Sequence, residues 1–502
     1  METLLLKLLL APLAWLRRTM ELKPRGYALM MLPQAQPLLI ATGWVRARVL
    51  FLKARAECPA YAEFLKAEGY VERRPWRLEE LPITTKENYV KRYSIEQRCF
   101  GGALQGKGDV IDESSGSSGV PNNWVRNAHE RADVKRILQL SYGLMYGDPH
   151  RMLLNCFALG PWATGMNVSM SLADVGILKS IGPDAKKLEN TLRTFGTTYR
   201  YIVFGYPPFV KGFVDATELD LSAYHIDLVV GGEGISEPLR GYLRKHFASV
   251  VSSYGASDLE INLGVETDWT IALRARCAAD PALSLALFGR DTPPMIFQYN
   301  ALDYHVQTLD SGEMVFTILR SSGAAPKLRY DLKDVGGSHS MAEMMRQLAQ
   351  RGIDGATLAA RHGYFPVLHV YGRSDLTVAF FGAKLYPGDV ETVILAHPTL
   401  GPAIKSFQLS SYEDERVNRR LAIHLELAEG CGLDAVGVSA ETLPEVFYAG
   451  LAKANQDFRE VTRMFGANAI GVPLHLFGTG PFTGADIRLK SQYVKPAGPA
   501  AS

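Results

Sequence analysis

The chain has 502 residues, a formal net charge of +2, 47% hydrophobic residues and 21% charged residues. That length exceeds one ordinary hydrophobic core, so a soluble globular protein of two or more domains is expected, and the near-neutral charge gives no bulk electrostatic case for nucleic acid as a partner. Five cysteines, Cys58, Cys99, Cys156, Cys277 and Cys431, are odd in number, widely spaced and without a C-x-x-C or Cys/His cluster, which argues against a disulfide framework or zinc site and for a reducing cytosol.

Along the chain, the first 40 residues stand apart. Leu4 to Leu16 is apolar, but Lys7 and Pro12 interrupt it and its length of about 13 residues falls short of the ~20 of a membrane-spanning helix. Glu2 precedes the run and Arg17-Arg18 follows it, the reverse of a secretory signal. Two readings stand: an amphipathic helix docked on the protein body, or an interfacial membrane helix over residues 1–20 with Trp15, Arg17 and Arg18 at headgroup level. Residues 40–70 are predicted helical, with Val45, Val49, Leu52 and Ala56 on one stripe that ends near Pro59. A short strand, Gly108 to Asp112, then precedes a Ser/Gly run and a helix from Glu130 to Leu140.

From 150 to 260 the pattern alternates. Met152-Leu153-Leu154, Tyr201 to Phe204 and Asp227 to Val230 read as buried strands, and 184–196, 207–216 and 236–247 as helices between them, which implies an α/β arrangement with a largely parallel sheet. Met295-Ile296-Phe297, Tyr304-His305-Val306 and Met314 to Ile318, with a turn at Leu309 to Gly312, suggest an antiparallel β subdomain. Residues 336–362 read as a Met-rich helical stretch. Beyond Asp375 a new series of short strands and helices begins, enough chain for a compact unit of its own, and the Pro/Ala tail from Pro496 reads as frayed. The expected division is therefore 1–40, 41–374, 375–495 and 496–502.

Ser114-Ser115-Gly116-Ser117-Ser118-Gly119-Val120-Pro121 is the most distinctive run. Its hydroxyls and glycines let a backbone curl round an anion while N–H and O–H groups donate to it, and its place between strand and helix suits phosphate binding better than a linker. It is neither a Walker loop nor a G-x-G-x-x-G turn. Four segments follow in order: Gly231-Gly232-Glu233-Gly234, Tyr254-Gly255-Ala256-Ser257-Asp258, Arg329-Tyr330-Asp331-Leu332-Lys333-Asp334 and Gly372-Arg373-Ser374-Asp375. Together they resemble the adenylate-forming superfamily of acyl-CoA synthetases. The phenylacetate-CoA ligase branch is the nearest likeness, because Cys58-Pro59-Ala60-Tyr61 and Leu78 to Lys86 are similar to its opening segment.

That resemblance implies a large N-terminal domain, a small mobile C-terminal domain that begins at the Asp375 hinge, and the use of ATP, Mg2+ and coenzyme A on a small-molecule carboxylic acid. It assigns Ser115, Gly116, Ser117, Ser118 and Gly119 to the β- and γ-phosphates, with Asn122 where many members have lysine. It assigns Gly232, Glu233 and Gly234 to the adenine edge, Tyr254 to stacking on adenine with Gly255 and Ser257 beside it, Asp334 to the ribose hydroxyls and Arg373 to ribose or phosphate. Asp258 stands where the family has a magnesium-side glutamate, and Glu260 is a candidate substitute. Lys490 is the candidate for the C-terminal lysine of adenylation, with Arg488 and Lys495 as competitors. Phe157, Trp162, Phe204 and Tyr206 fall in segments that line the acyl pocket, which favours an aromatic or apolar acid. A carrier-protein thiol, an amine or an enzyme cysteine as acceptor, and a non-catalytic nucleotide-binding scaffold, are the alternatives. Gly382-Ala383-Lys384, where the family brings a loop beside pantetheine, leans toward a pantetheine thiol.

Overall fold

The computed structural model describes residues 2–114, 122–147, 150–359, 363–374 and 378–483. Four helices open it: α1 (Glu2–Met20), α2 (Pro24–Met30), α3 (Gln36–Glu57) and α4 (Pro59–Ala67). Pro59 ends α3 by removing an amide donor and starts α4 at the position where a helix tolerates proline. The buried face of α3 is Ala47, Val49, Leu50, Phe51, Leu52 and Ala54, while Ala56 is exposed and Val45 half-buried. The predicted stripe was therefore displaced. This helix is covered on two sides, and double burial blurs the periodicity that a one-sided helix displays.

Strands β1 (Val110–Ser114) and β2 (Asn122–Arg126) form an antiparallel ribbon in which Ser114 faces Asn122, followed by α5 (Ala128–Met145), which Asn127 caps through the Glu130 amide. The ribbon thus carries the two residues that flank the Ser/Gly run.

The centre of the molecule is an 11-stranded sheet. One half is parallel, with β3 (Met152–Asn155), β4 (Ile177–Ser180), β5 (Arg200–Gly205), β6 (His225–Val230) and β7 (Ser249–Tyr254) in the order β4-β3-β5-β6-β7. Helices Ala185–Phe195, Pro207–Ala216 and Glu237–Leu243 connect them at the predicted places. The other half is antiparallel and continues the same sheet through β8 (Gly264–Val265), β9 (Met295–Gln298), β13 (Val367–Arg373), β12 (Tyr330–His339), β11 (Glu313–Ile318) and β10 (Tyr304–Thr308). The parallel layer and the antiparallel unit expected from sequence are both present, fused edge to edge. Strand β12 runs through residues read as the start of a helix, and the helix begins at Met341. Gly336 explains the misreading: a Cβ there would lie 2.0 Å from the His369 carbonyl oxygen, so a residue that looks like a breaker permits close approach of β12 and β13.

Residues 378–472 supply a separate hydrophobic core, with Phe380, Leu385, Leu409, Ile423, Phe447 and Phe458 among its buried members. A hairpin of β14 (Val378–Phe380) and β15 (Ala383–Leu385) is followed by the long antiparallel pair β16 (Ile404–Glu413) and β17 (Arg419–Leu427), onto which Ile470–Gly471 and Leu474–His475 add in parallel.

Candidate functional site

Parallel strands of an open α/β sheet expose ligand crevices at their carboxyl ends, and the sequence motifs converge there. The turns after β5, β6 and β7 supply Tyr206, Gly231-Gly232 and Gly255-Ala256-Ser257, which line a cleft of about 110 Å³ with Trp162, Ser114 and Lys384. Phe157 packs edge-on against Tyr206 at 5.1 Å between ring centres. Phe157 and Phe204 both belong to the hydrophobic core and are not among the cleft-lining residues. Of the four aromatic residues expected to meet an acyl group, Trp162 and Tyr206 are the two at its surface.

The tip of the β14–β15 hairpin closes the cleft. Tyr206 is held between two glycines, since a Cβ on Gly232 would come within 2.5 Å of its ring and one on Gly382 within 2.7 Å. Gly232 adopts φ +83° and Gly382 φ +85°, both in the region that favours glycine. Glu233, buried beside this contact, has its carboxyl pushed up, because burial outweighs the nearby Arg419 charge. Arg419 donates to the Gly234 carbonyl at 3.4 Å.

A charged cluster adjoins the cleft. Asp258 accepts from the Tyr330 hydroxyl at 2.9 Å and pairs with Lys86 at 3.3 Å. Burial disfavours its ionised form, yet Lys86, Lys384 and Arg373 hold the carboxyl below the ordinary range. Lys384 is itself pushed down to about 8 by burial, with Arg373 and Lys86 adding repulsion. Across β12 and β13, Asp334 faces Arg373 in register, 3.7 Å from carboxylate to guanidinium, and accepts from the Tyr254 hydroxyl at 2.5 Å. The Tyr254 ring stacks on Phe297 at 5.6 Å. Burial and the Asp334 charge raise the Tyr254 hydroxyl well above its usual range, which keeps it a donor.

Neither Lys86 nor Lys384 received a role from the sequence, although both lie in quoted segments. Lys86 opens a single helical turn that Thr85 caps through the Asn88 amide. Arg329 holds that segment in place by donating to the carbonyls of Glu79 and Leu81, while Thr84 and Tyr330 form a strand bridge. The motif arginine is thus a strut for the Lys86 segment. Arg126 similarly donates to the Ser257 carbonyl and pairs with Glu130 of α5 at 2.9 Å, bracing the Tyr254–Asp258 loop from the end of β2.

Glu260, the candidate substitute, directs its two oxygens to Arg320 and to the Tyr304 hydroxyl in a buried cluster. Asp258 retains one buried oxygen, Oδ1, without a partner among the described residues. No three His, Cys, Asp or Glu side chains among the described residues gather closely enough to hold a metal. Among the described residues of this cluster, Asp258 Oδ1 is the carboxylate oxygen that could be given to a magnesium ion, which takes oxygen ligands. Ser115, Gly116, Ser117, Ser118, Gly119, Asp375 and Lys490, with its competitors Arg488 and Lys495, lie outside the described residues.

No protein-family model matches the chain. No curated protein sequence matches it either. Solved structures do. The chain is similar to 2-hydroxyisobutyryl-CoA ligase in complex with 2-HIB-AMP and CoA in the thioesterification state, at 12% identity and a TM-score of 0.63, over 93% of this chain and 91% of that one. Against the same enzyme in the postadenylation state with 2-HIB-AMP the TM-score is 0.51 at 12% identity, covering 92% and 89%. An open conformation with 2-HIB-AMP and CoA gives 0.51 at 12%, covering 92% and 91%. The chain therefore has the fold of the adenylate-forming enzymes, as the order of its motifs led us to expect.

Proposed function

We propose that this protein activates a carboxylic acid with ATP and passes the acyl group to the thiol of coenzyme A. One observation carries the reading: Lys86, Lys384 and Arg373 gather round Asp258 and Asp334 beside a glycine-walled cleft at the strand ends. Lys86 and Arg373 offer cationic donors that suit a polyphosphate, and Lys384 joins them when the hairpin is seated, where Asp457 and Glu460 line the same cleft. In the first step a carboxylate oxygen bonds to the α-phosphorus, the bond to the β-phosphate breaks, and pyrophosphate leaves. In the second the thiolate sulfur bonds to the acyl carbon and AMP leaves with the electron pair of the mixed anhydride.

On this reading Asp334 accepts from the ribose hydroxyls, Tyr254 offers its ring to adenine beside Gly232 to Gly234, and Arg373 reaches ribose or phosphate. Ser115 to Gly119 donate to the β- and γ-phosphates; Ser114, paired with Asn122 across the ribbon, lines the cleft. Asp258 would give Oδ1 to magnesium, which when bound neutralises phosphate charge. Trp162 and Tyr206 favour an aromatic or apolar acid, in keeping with the phenylacetate-like opening segment.

The closer likeness to a thioesterification state, 0.63 against 0.51, supports reading the seated hairpin as the transfer arrangement. A cleft of about 110 Å³ is below the ~300–1,000 Å³ of typical small-molecule sites. Adenylation then needs the hairpin withdrawn, with residues 375–495 turned as a mobile unit near Asp375 and Lys490 brought in. The test is ATP-dependent pyrophosphate release across a panel of carboxylic acids, followed by addition of coenzyme A. Release with an apolar acid and thioester formation on adding coenzyme A are expected. Release without thioester would move the acceptor to a carrier protein or an amine, and no release with any acid would leave a nucleotide-binding scaffold.

A further inference from the structure

Half of the exposed large apolar side chains among the described residues lie between Leu4 and Trp44, under a tenth of the chain. Between Leu4 and Leu16 helix α1 is apolar on every side but for Lys7. Thr3, Leu6, Leu10, Leu13, Arg17 and Met20, at three- and four-residue spacing, form its half-buried inner stripe. Leu4, Leu8 and Trp15 form an outer stripe, 62–68% exposed, with Leu5, Leu9 and Leu16 beside it. A helix apolar all round requires cover on all sides, and the body supplies one. Even on the inner side contact is incomplete, for a cleft of about 530 Å³ with Leu10, Leu13, Leu38 and Leu39 in its walls opens between α1 and α3.

The helix is nonetheless fixed in direction. Arg17 reaches through to the buried Asp303 at 2.7 Å and to Glu21 at 2.5 Å, and Glu21 meets Arg136 at 2.8 Å. Asp303 is shared with Arg46 at 3.4 Å and Arg320 at 3.6 Å. Buried ion pairs of this kind are costly to separate, so the outer stripe cannot roll inward. Of the exposed charges near it among the described residues, the one negative group, Glu2, is tied to a cation. Lys7, Arg18, Lys23 and Arg25 are exposed, Glu21 is buried, and Glu2 is bonded to Arg48 at 2.7 Å. No helix among the described residues is long and apolar enough to cross a membrane.

We propose that the outer face of α1 and the segment that follows it dock on an anionic phospholipid bilayer, lying in the interface instead of spanning it. The leucines enter the acyl boundary, Trp15 sits at headgroup depth, and the four cations meet lipid phosphates. The two sequence-based readings of this helix are then both satisfied, one on each face.

Co-sedimentation of the full chain with phosphatidylglycerol and phosphatidylcholine vesicles tests this without recourse to catalysis, so its outcome is independent of the proposed function. Pelleting with the anionic vesicles is expected, weakened by salt. The triple variant Leu4→Ser, Leu8→Ser, Trp15→Ser should lose at least about tenfold in partitioning. Lys7→Gln, Arg18→Gln, Lys23→Gln, Arg25→Gln together should do the same for anionic vesicles, and both variants should melt as the parent does because every changed side chain is exposed. Failure of the parent to pellet, or pelleting that neither variant reduces, would overturn the proposal. Self-association of the parent that the serine variant abolishes, without vesicle binding, would overturn it in favour of a second copy of the chain.

Discussion

Asp334 is set as an acceptor before any ligand arrives, between the Tyr254 hydroxyl and Arg373. Asp334→Asn retains shape and an acceptor but loses the charge that makes a hydrogen bond to hydroxyl strong. About a tenfold rise in the ATP requirement is expected, with melting near that of the parent, measured by pyrophosphate release against ATP concentration. An unchanged requirement would remove the ribose assignment. Lys384 offers a test by pH. Its ammonium titrates at about 8 because it is buried beside other cations, so it is charged below that pH and neutral above. The seated arrangement relies on its charge, so acyl transfer should weaken as pH rises through about 8, and Lys384→Arg, which stays charged, should carry that decline upward by at least about one pH unit in the pH profile of thioester formation from a supplied acyl-adenylate. A decline at the same pH in both proteins would exclude Lys384 as the group. Composition gave no sign of either cationic partner, since a lysine in sequence is a surface charge by default. Lys86 and Lys384 become legible only when tertiary contact buries them against Asp258.

The β14–β15 hairpin is the element on which the two-step reading turns. Its two-residue turn places Phe381 at φ 53° and Gly382 at φ +85°, the left-handed pair that tight hairpins favour. A phenylalanine there is strained, and its contacts with Phe380 and Phe465, at 4.9 and 4.6 Å between ring centres, hold it. Gly382→Ala would drive a methyl group into Tyr206 and add backbone strain, so the hairpin should not seat. Thioester formation from a supplied acyl-adenylate should fall at least about tenfold while pyrophosphate release persists. Equal loss in both half-reactions would detach the hairpin from the transfer step. Elements whose apolar pattern follows their own period, such as β5 and β6 or helix Pro207–Ala216, were legible from sequence. Strand β12 was not, because Gly336-Gly337-Ser338 carries no strand pattern and its close approach to β13 is visible only in the assembled sheet.

At the scale of the whole molecule, the order of five motifs was enough to foresee the architecture, because that fold brings loops far apart in sequence to one set of strand ends. Which loop residues face the cleft was harder to foresee, since Phe204 and Trp162 look alike as sequence and only packing sends one to the core and the other to the surface. The same division of labour governs how the C-terminal core meets the rest. Away from the Tyr206 contact, Val417 and Met464 touch the core of the parallel sheet and a few polar bonds join the two at the β16–β17 end: Lys211 to Asn418 at 3.0 Å, Ser236 to Glu413, and Arg419 to the Gly234 carbonyl. An interface of few polar contacts suits parts that change orientation. Glu413→Ala with Asn418→Ala removes two of these bonds, each contributing about 0.5–1.5 kcal/mol, so the seated arrangement should lose about 5- to 160-fold in population relative to the alternative. Neither residue belongs to either hydrophobic core, so melting should stay close to the parent's. Single-turnover measurement should find adenylate formation retained or faster and acyl transfer slower, opposite in sign for the two halves. If both half-reactions slow together, or neither changes, the seated arrangement is the only working one and the two-orientation reading fails.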